Sequence, residues 1–296
     1  MSGAFRGRSR AYLAGLLPPL LVLFFLTVAP GIFLVATSLT PATPLRPDSL
    51  LDFSDPFRNY FEAFADGRFL NSLVVQAKLS VATVILQIAI GLGLALLLNA
   101  RDRWLEFMRS AFLIPMVLPP IVVGILWKIL YTPEISPLHR LAEFSGFAVP
   151  SLLAQADTAL VAIVIAETWE WFPFTLLILL AALQMIPDEP IEAAIIDGAG
   201  RWQIFRYVIL PFIFQALVVA ALFRLIDSLK AFPLIYVLTG GGPGTATEVT
   251  NFYAFQQSFN YANWGYGSAV ATLIVAGSFA LSMLVGRISR RDFDEA

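Results

Sequence analysis

Six stretches of this sequence are apolar for long enough to cross a bilayer as helices, and nothing else in it limits the fold as strongly. A spanning helix needs about 20 mostly apolar residues at roughly 1.5 Å rise each. The stretches cover residues 11–39, 71–98, 111–131, 159–183, 210–229 and 265–286, to within a few residues at each end. In lipid a backbone amide must bond within its own helix or in a closed barrel. Six such lengths predict an all-α, polytopic membrane protein with six transmembrane helices. Composition agrees, with 58% hydrophobic and 14% charged residues against about 25% charged for soluble domains. The first stretch is longer than a signal-peptide core and lacks a clear small-x-small cleavage site, so a retained anchor is expected.

Orientation follows from Lys and Arg in the flanks. One side collects Arg6, Arg8, Arg10, Arg101, Arg103, Arg109, Arg201, Arg206, Arg287, Arg290 and Arg291. The other has Arg46, Arg58, Arg68 and Arg140, with Lys230 near its boundary. Eleven against five predicts a multi-pass protein of the cytoplasmic membrane with both termini in the cytoplasm. The expected division is a basic tail over residues 1–10, one membrane domain over 11–286 and a cytoplasmic tail over 287–296. The cytoplasmic loop over about 187–209, between helices four and five, is the inner loop large enough to carry recognition.

Several function classes are disfavoured. A formal net charge of -2 gives a nucleic-acid partner no electrostatic support. The chain has no cysteine and one histidine, His139, which removes thiolate metal sites and makes a histidine-rich one impossible. A phosphate-cradling loop needs G-x-x-x-x-G-K-[ST]. None of the three lysines, Lys78, Lys128 and Lys230, follows such a pattern. "TGGGPG" (residues 239–244) has the glycines without the lysine, lies on the outer side, and reads as a tight loop. Lys78 and Lys128 fall near outer helix ends, where snorkelling is expected.

The cytoplasmic loop begins "QMIPDEPIEAAIIDGAG". Asp188 suits an N-cap, Glu189 the positive helix end and Pro190 the first turn. Ile191, Ala194 and Ile195 form a narrow apolar stripe, and Gly198 or Gly200 supplies the stop. "RWQIFRYVILP" restarts a helix. Two short helices joined by glycines are expected, either capping their own bundle or meeting a partner.

This loop resembles that of the inner-membrane permease subunits of binding-protein-dependent ABC importers. Their signature is E-A-A, three residues, G, nine residues, then I-x-L-P. Glu192, Ala193, Ala194, Gly198, Leu210 and Pro211 fall on it, and Val208 stands at the Ile position. "IPMVLPPIVVGILWKILYTP" (114–133) and "IYVLTGGGPGTATE" (235–248) are similar to the carbohydrate-uptake branch, of the maltose, glycerol-phosphate and lactose type. The resemblance covers about residues 60–286. It implies that residues 192–198 form a coupling helix docked in a groove of a cytoplasmic ATPase. Ala193, Ala194 and Gly198 would allow close approach, Glu192 and Asp197 would offer carboxylates, and Arg201 would add a contact. It further implies two ATPase subunits that bind the ATP and Mg, no cofactor on this chain, a second related permease, and an extracytoplasmic solute-binding protein. The implied solute is a sugar or sugar-like molecule carried by alternating access, with no catalytic residue here.

Charged groups inside apolar spans cost about 2.5–3.5 kcal/mol each on insertion scales and tend to face a bundle interior. "ETWEWFPF" places Glu167, Glu170 and Phe174 on adjoining turns, with Trp169 and Trp171 pointing elsewhere and Pro173 loosening the helix. Arg224 and Asp227 share one side of the fifth span, with Lys230 a turn further on. These are candidate solute-pathway residues, and Arg224–Asp227 reads equally as an internal structural pair. Two other function classes compete. An ion- or proton-coupled carrier would use Glu167 and Asp227 but leaves the loop signature unexplained. An intramembrane enzyme is disfavoured by the lone histidine.

Overall fold

The computed structural model describes residues 15–100, 102–146 and 151–294. Arg6, Arg8, Arg10, Arg101 and residues 11–14 of the first predicted span lie outside the described residues. The described secondary structure consists of helices, turns and an isolated bridge between Thr43 and Arg46. The chain divides into two units, Met1–Asp66 with Ala254–Val275 and Gly67–Tyr253 with Ala276–Ala296.

In the first unit, α1 (Gly15–Ser38) is apolar and almost entirely exposed along its spanning window. An exposed helix of this kind suits lipid, because its backbone bonds are all internal. The Pro- and Asp-rich segment after it folds as a short 3₁₀ helix, Pro47–Leu51, and α2 (Arg58–Ala65). Asn59 ties this segment to the end of α1, donating to the carbonyls of Ser38 and Thr40 at 2.9 and 2.8 Å.

The second unit is built on α3 (Gly67–Leu98). The third predicted span is not one straight helix. It is α4 (Arg103–Val117) followed by α5 (Pro120–Tyr131), bent by 96°. Pro119 and Pro120 explain the break. A residue before proline is pushed out of the helical region, and Leu118 sits extended at ψ 140° and Pro119 at ψ 136°. The next helix, α6 (Pro137–Phe144), starts at Ser136, whose hydroxyl accepts from the His139 amide.

The fourth span, α7 (Ala156–Gln184), runs unbroken through Pro173. It lies so close to α3 that a Cβ on Gly91 would meet Thr175 Cβ at 2.8 Å and the Leu176 backbone nitrogen at 3.0 Å. Small residues let backbones approach in membrane bundles, and Gly91 does so here. Two apolar clusters fill the interior at different levels. One takes Val75 and Leu79 with Ala162, Ile163 and Ala166. The other takes Ala95 and Leu98 with Leu176, Leu179 and Leu183. Between those levels α3 and α7 also carry buried polar residues, among them Thr83, Gln87, Glu167, Thr168, Glu170 and Thr175.

After α7 come the loop helix α8 (Asp188–Ile196) and α9 (Arg201–Ser228). A π turn at Phe205–Ile209 immediately precedes Leu210 and Pro211 in α9. Proline cannot donate back to the preceding turn and its ring crowds that turn; the wider π turn gives it room. The chain then forms α10 (Pro233–Leu238), the glycine-rich turns and α11 (Thr250–Phe255). Lys128 is held in place by an internal contact, donating to Val237 O of α10 at 2.8 Å. Arg68 grips Glu248 with two bonds of 2.7 Å, and Asn71 donates to Thr245 O at 3.2 Å. These bonds fasten the segment after the glycines to the start of α3. The last helix, α12 (Trp264–Asp294), continues past the predicted end of the sixth span, so the backbone of most of the expected 287–296 tail is helical.

Candidate functional site

Two places bring the predicted site residues together. The first is the polar level between the apolar clusters. Arg224 of α9 is 2% exposed and spends its guanidinium on three side chains. Its Nε donates to Gln87 Oε1 at 2.8 Å, Nη1 to Asp227 Oδ2 at 2.8 Å, and Nη2 to Glu167 Oε1 at 3.4 Å. Its guanidinium carbon lies 4.5 Å from the centroid of the Trp171 ring. Gln87 closes the ring of contacts by donating to Glu167 O at 3.1 Å. A buried arginine is stable only with such partners, and its planar fork can serve several at once. The pairing of Arg224 with Asp227 expected from i, i+3 spacing is therefore real, and it is part of a larger network joining α3, α7 and α9.

Beside this network is a cavity of about 190 Å³, with walls that include Glu167, Glu170, Trp171, Asp227, Lys230 and Phe232. Of the seven predicted pathway residues, Glu167, Glu170, Trp171 and Asp227 reach it. Arg224 lies behind, linked to Glu167 and Asp227. Trp169 does not line it: its ring packs on Trp127 at 5.8 Å within the apolar cluster. Phe174 does not line it either, and packs edge-on against Phe223 at 6.2 Å. The spacing turns both tryptophans away from a Glu167–Glu170–Phe174 face, yet Trp171 joins Glu167 and Glu170 at the cavity and Phe174 does not, because the neighbouring helices decide which residues face it. Gln87 was missed, since an amide in an apolar span 137 residues from Arg224 leaves no local signal.

The second place is the loop. Pro187, not Asp188, is the N-cap of α8, and Asp188 occupies the first turn with Glu189. The shift costs little, since both carboxylates stay at the positive helix end. The stop is at Gly198, where φ is +77°. Its amide bonds Ile195 O at 3.0 Å, and the Ala199 amide bonds Ala194 O at 2.9 Å. This is the paired geometry that satisfies the last carbonyls of a helix through a left-handed residue. Gly200 then caps the restart, its amide donating to Gln203 Oε1 at 2.8 Å. No residue of α8 is buried. Glu192, Ala193, Asp197, Gly198 and Arg201 are exposed and Ala194 is half-buried. Ile196 is 84% exposed and Trp202 72%, with Ile195 and Tyr207 also open. The apolar stripe of Ile191, Ala194 and Ile195 is not covered as a unit: Ile191 and Ala194 turn partly inward while Ile195 and Ile196 stay out.

A helical bundle with several apolar spans, a polar internal cavity and an exposed loop helix closed by a glycine stop is the architecture of a polytopic membrane protein. The chain belongs to the family described as binding-protein-dependent transport system inner membrane component, whose profile matches residues 87–293. It is 37% identical to the trehalose/maltose transport system permease protein MalF of Thermococcus litoralis, over 79% of this chain and 80% of that one. It is 34% identical to the trehalose transport system permease protein SugA of Mycobacterium tuberculosis, over 73% and 68%. Among solved structures, a bacterial ABC transporter involved in the import of the acidic polysaccharide alginate superposes with TM-score 0.83. That match covers 97% of this chain and 98% of the other at 20% identity, and it shows the shared fold.

Proposed function

We propose that this chain is one half of the pore of an ATP-driven importer for a sugar or sugar-like solute. Its relatives' sugar assignments support the solute class, and the polar cavity between α7, α9 and α10 is where hydroxyl groups would find carboxylates and a tryptophan face. A second, related permease completes the pore, and an extracytoplasmic binding protein delivers the solute. Two ATPase subunits bind ATP and Mg and do the hydrolysis; the chain itself carries no catalytic residue. Both termini and the 187–209 loop face the cytoplasm, following the arginine count in the flanks. Residues 1–10, 11–286 and 287–296 act as tail, permease domain and tail.

The observation that carries the reading is the loop helix. A helix with no buried residue, Ile195 and Ile196 in the open, a well-formed glycine stop and an open Trp202 at the start of the next helix is unfinished as a structure on its own. Exposed apolar patches of this kind mark interaction surfaces. Glu192, Ala193, Ala194, Asp197, Gly198 and Arg201 form its docking set. Nucleotide-driven closure of the ATPases moves this helix, and the bundle turns between inward- and outward-facing states.

Gly198→Arg tests it. Its φ of +77° is strained for any residue with a Cβ, and the side chain would project at the docking face. The permease should remain in the membrane while uptake and co-purification of the ATPase are lost. Normal uptake with undiminished co-purification would remove the docking role.

A further inference from the structure

The helix that follows the first span carries a face that neither the cavity nor the loop explains. Phe57, Phe61 and Phe64 of α2 are 58–74% exposed. Positions i, i+4 and i+7 lie on one side of a helix, so three aromatic rings stand together in the open. Such a patch marks a protein partner or a lipid surface, and the placement of α2 decides between them. Two spans end where α2 lies. Asn59 donates to the carbonyls of Ser38 and Thr40 at the end of α1, and the hydroxyls of Tyr60 and Ser38 are 2.6 Å apart. At the start of α12 the Gly265 amide donates to Ala42 O at 2.9 Å, and any Cβ on Gly265 would overlap Thr40 O. The Tyr266 hydroxyl then donates to Asp66 Oδ2, just past α2, at 3.0 Å. The end of α1, the start of α12 and α2 are therefore pinned at one level. Since α1 and α12 are apolar spans, that level is a membrane boundary. Trp264, the exposed first residue of α12, stands where tryptophans gather in membrane proteins.

Around its axis α2 divides into three sectors. Asn59 and Ala63 are buried, Asn59 against the end of α1. Arg58 and Glu62 line a cavity of about 440 Å³ with Thr43, Arg46 and Asn263, residues that lie beyond the ends of the two spans. The phenylalanines occupy the third sector, beside Tyr60, which reaches back to the last turn of α1. The aromatic sector thus lies toward the spans and the charged sector toward the loops. The neighbouring α1 is almost entirely exposed along its spanning window, so the lipid around it continues onto the aromatic sector. We propose that α2 is an interfacial helix. It rests Phe57, Phe61 and Phe64 in the headgroup–acyl boundary of the bilayer and holds the adjoining ends of α1 and α12 at a fixed depth. Arg58 and Glu62 stay on the water side. Helices with this division sink their apolar face about 5–10 Å into the boundary. The role suits α1 in particular, since little protein surface grips that span.

The test uses the complete transporter in lipid nanodiscs and the absence of cysteine from the chain. A nitroxide is attached in turn at Phe57→Cys, Phe61→Cys, Glu62→Cys and Ile32→Cys. Its collisions with oxygen, which concentrates in lipid, are compared with its collisions with a water-soluble nickel chelate. Ile32, exposed on α1, gives the lipid reference. The labels at positions 57 and 61 should favour oxygen, at a depth of about 5–10 Å below the headgroups, and the label at position 62 should favour the nickel chelate. Labels at 57 and 61 that meet the nickel chelate as readily as the one at 62 would put the aromatic face in water and overturn the proposal. Labels shielded from both reagents would put a protein there and overturn it equally, the solute-binding protein if shielding appears only on its addition and the second permease if it is constant. The anchoring role has its own readout. Phe57→Ser combined with Phe61→Ser leaves the buried contacts of Asn59 and Ala63 in place, and the oxygen-to-nickel ratio at Ile32→Cys should fall as α1 rides toward water. A ratio that does not fall would remove the hold of α2 on the depth of α1.

Discussion

Replacing Arg224 with methionine would remove the centre of the interhelical network while keeping much of its volume. Three acceptors lose their donor, and they do not lose equally. Gln87 is fully buried, so its Oε1 would be left unsatisfied at about 1–3 kcal/mol. Glu167, with its side chain 8% exposed, would become an unpaired buried charge. Breaking a buried pair on one side costs about 3–5 kcal/mol, because the stranded partner stays buried. Asp227 is different: its side chain is 43% exposed and can turn to water, so its share is below about 1 kcal/mol. These contributions overlap, and we expect Arg224→Met to destabilise the folded chain by about 3–5 kcal/mol. At roughly 2–4 °C per kcal/mol for a chain of a few hundred residues, the midpoint should fall by at least about 6 °C. Fluorescence-detected size-exclusion after heating in detergent measures this shift. Pairing the change with Glu167→Gln should recover part of the loss, since the stranded charge is gone, giving a coupling of about 0.5–3 kcal/mol. A midpoint within about 2 °C of wild type for Arg224→Met, or strict additivity in the double variant, would refute the network as a source of stability.

Two further perturbations probe the packing around the site. Gly91→Val places branched carbons where a Cβ alone already meets Thr175 Cβ and the Leu176 backbone nitrogen at 3.0 Å or less; overpacking of this kind costs about 1–3 kcal/mol, and a lower thermal midpoint with reduced yield is expected, whereas Gly93→Val, with open space around it, should be well tolerated. Glu248→Gln weakens the two-bond grip of Arg68 on the segment after the glycines. Loss of that charge-assisted pair should cost about 1–3 kcal/mol and raise proteolytic cleavage near residues 239–248 in a limited-digestion assay.

The run lengths of apolar residues made most of the fold legible, because a bilayer allows so few solutions. The third span is the instructive exception. Residues 111–131 have the length of a span, and the prolines at 115, 119 and 120 were visible, but hydropathy alone does not distinguish a straight crossing from a 96° bend. The loop was readable in detail, since a left-handed glycine after a short helix has one common structural use and Gly198 fulfils it. The cavity was readable only in part. Helix spacing put Glu167 and Glu170 on one side of α7, yet Trp169 and Trp171 exchange roles according to what packs against each, Trp127 for one and Arg224 for the other. Contacts such as Gln87 with Arg224 join residues far apart in the chain and are set by packing that no local period encodes.

The central claim is that the exposed helix between α7 and α9 is where the transport cycle receives its energy. The natural absence of cysteine allows a direct measurement. Ile196→Cys places a single thiol on the open face of α8, and Phe144→Cys, at 93% exposure, places one on the predicted outer side. Each is treated in membranes with a short thiol-to-amine crosslinker in cells that express the whole transporter. The account predicts that Ile196→Cys joins the permease to the ATPase subunit, with a yield that changes when ATP is added, and that Phe144→Cys does not. An active transporter in which Ile196→Cys captures no ATPase, or in which Phe144→Cys captures it equally well, would contradict the account.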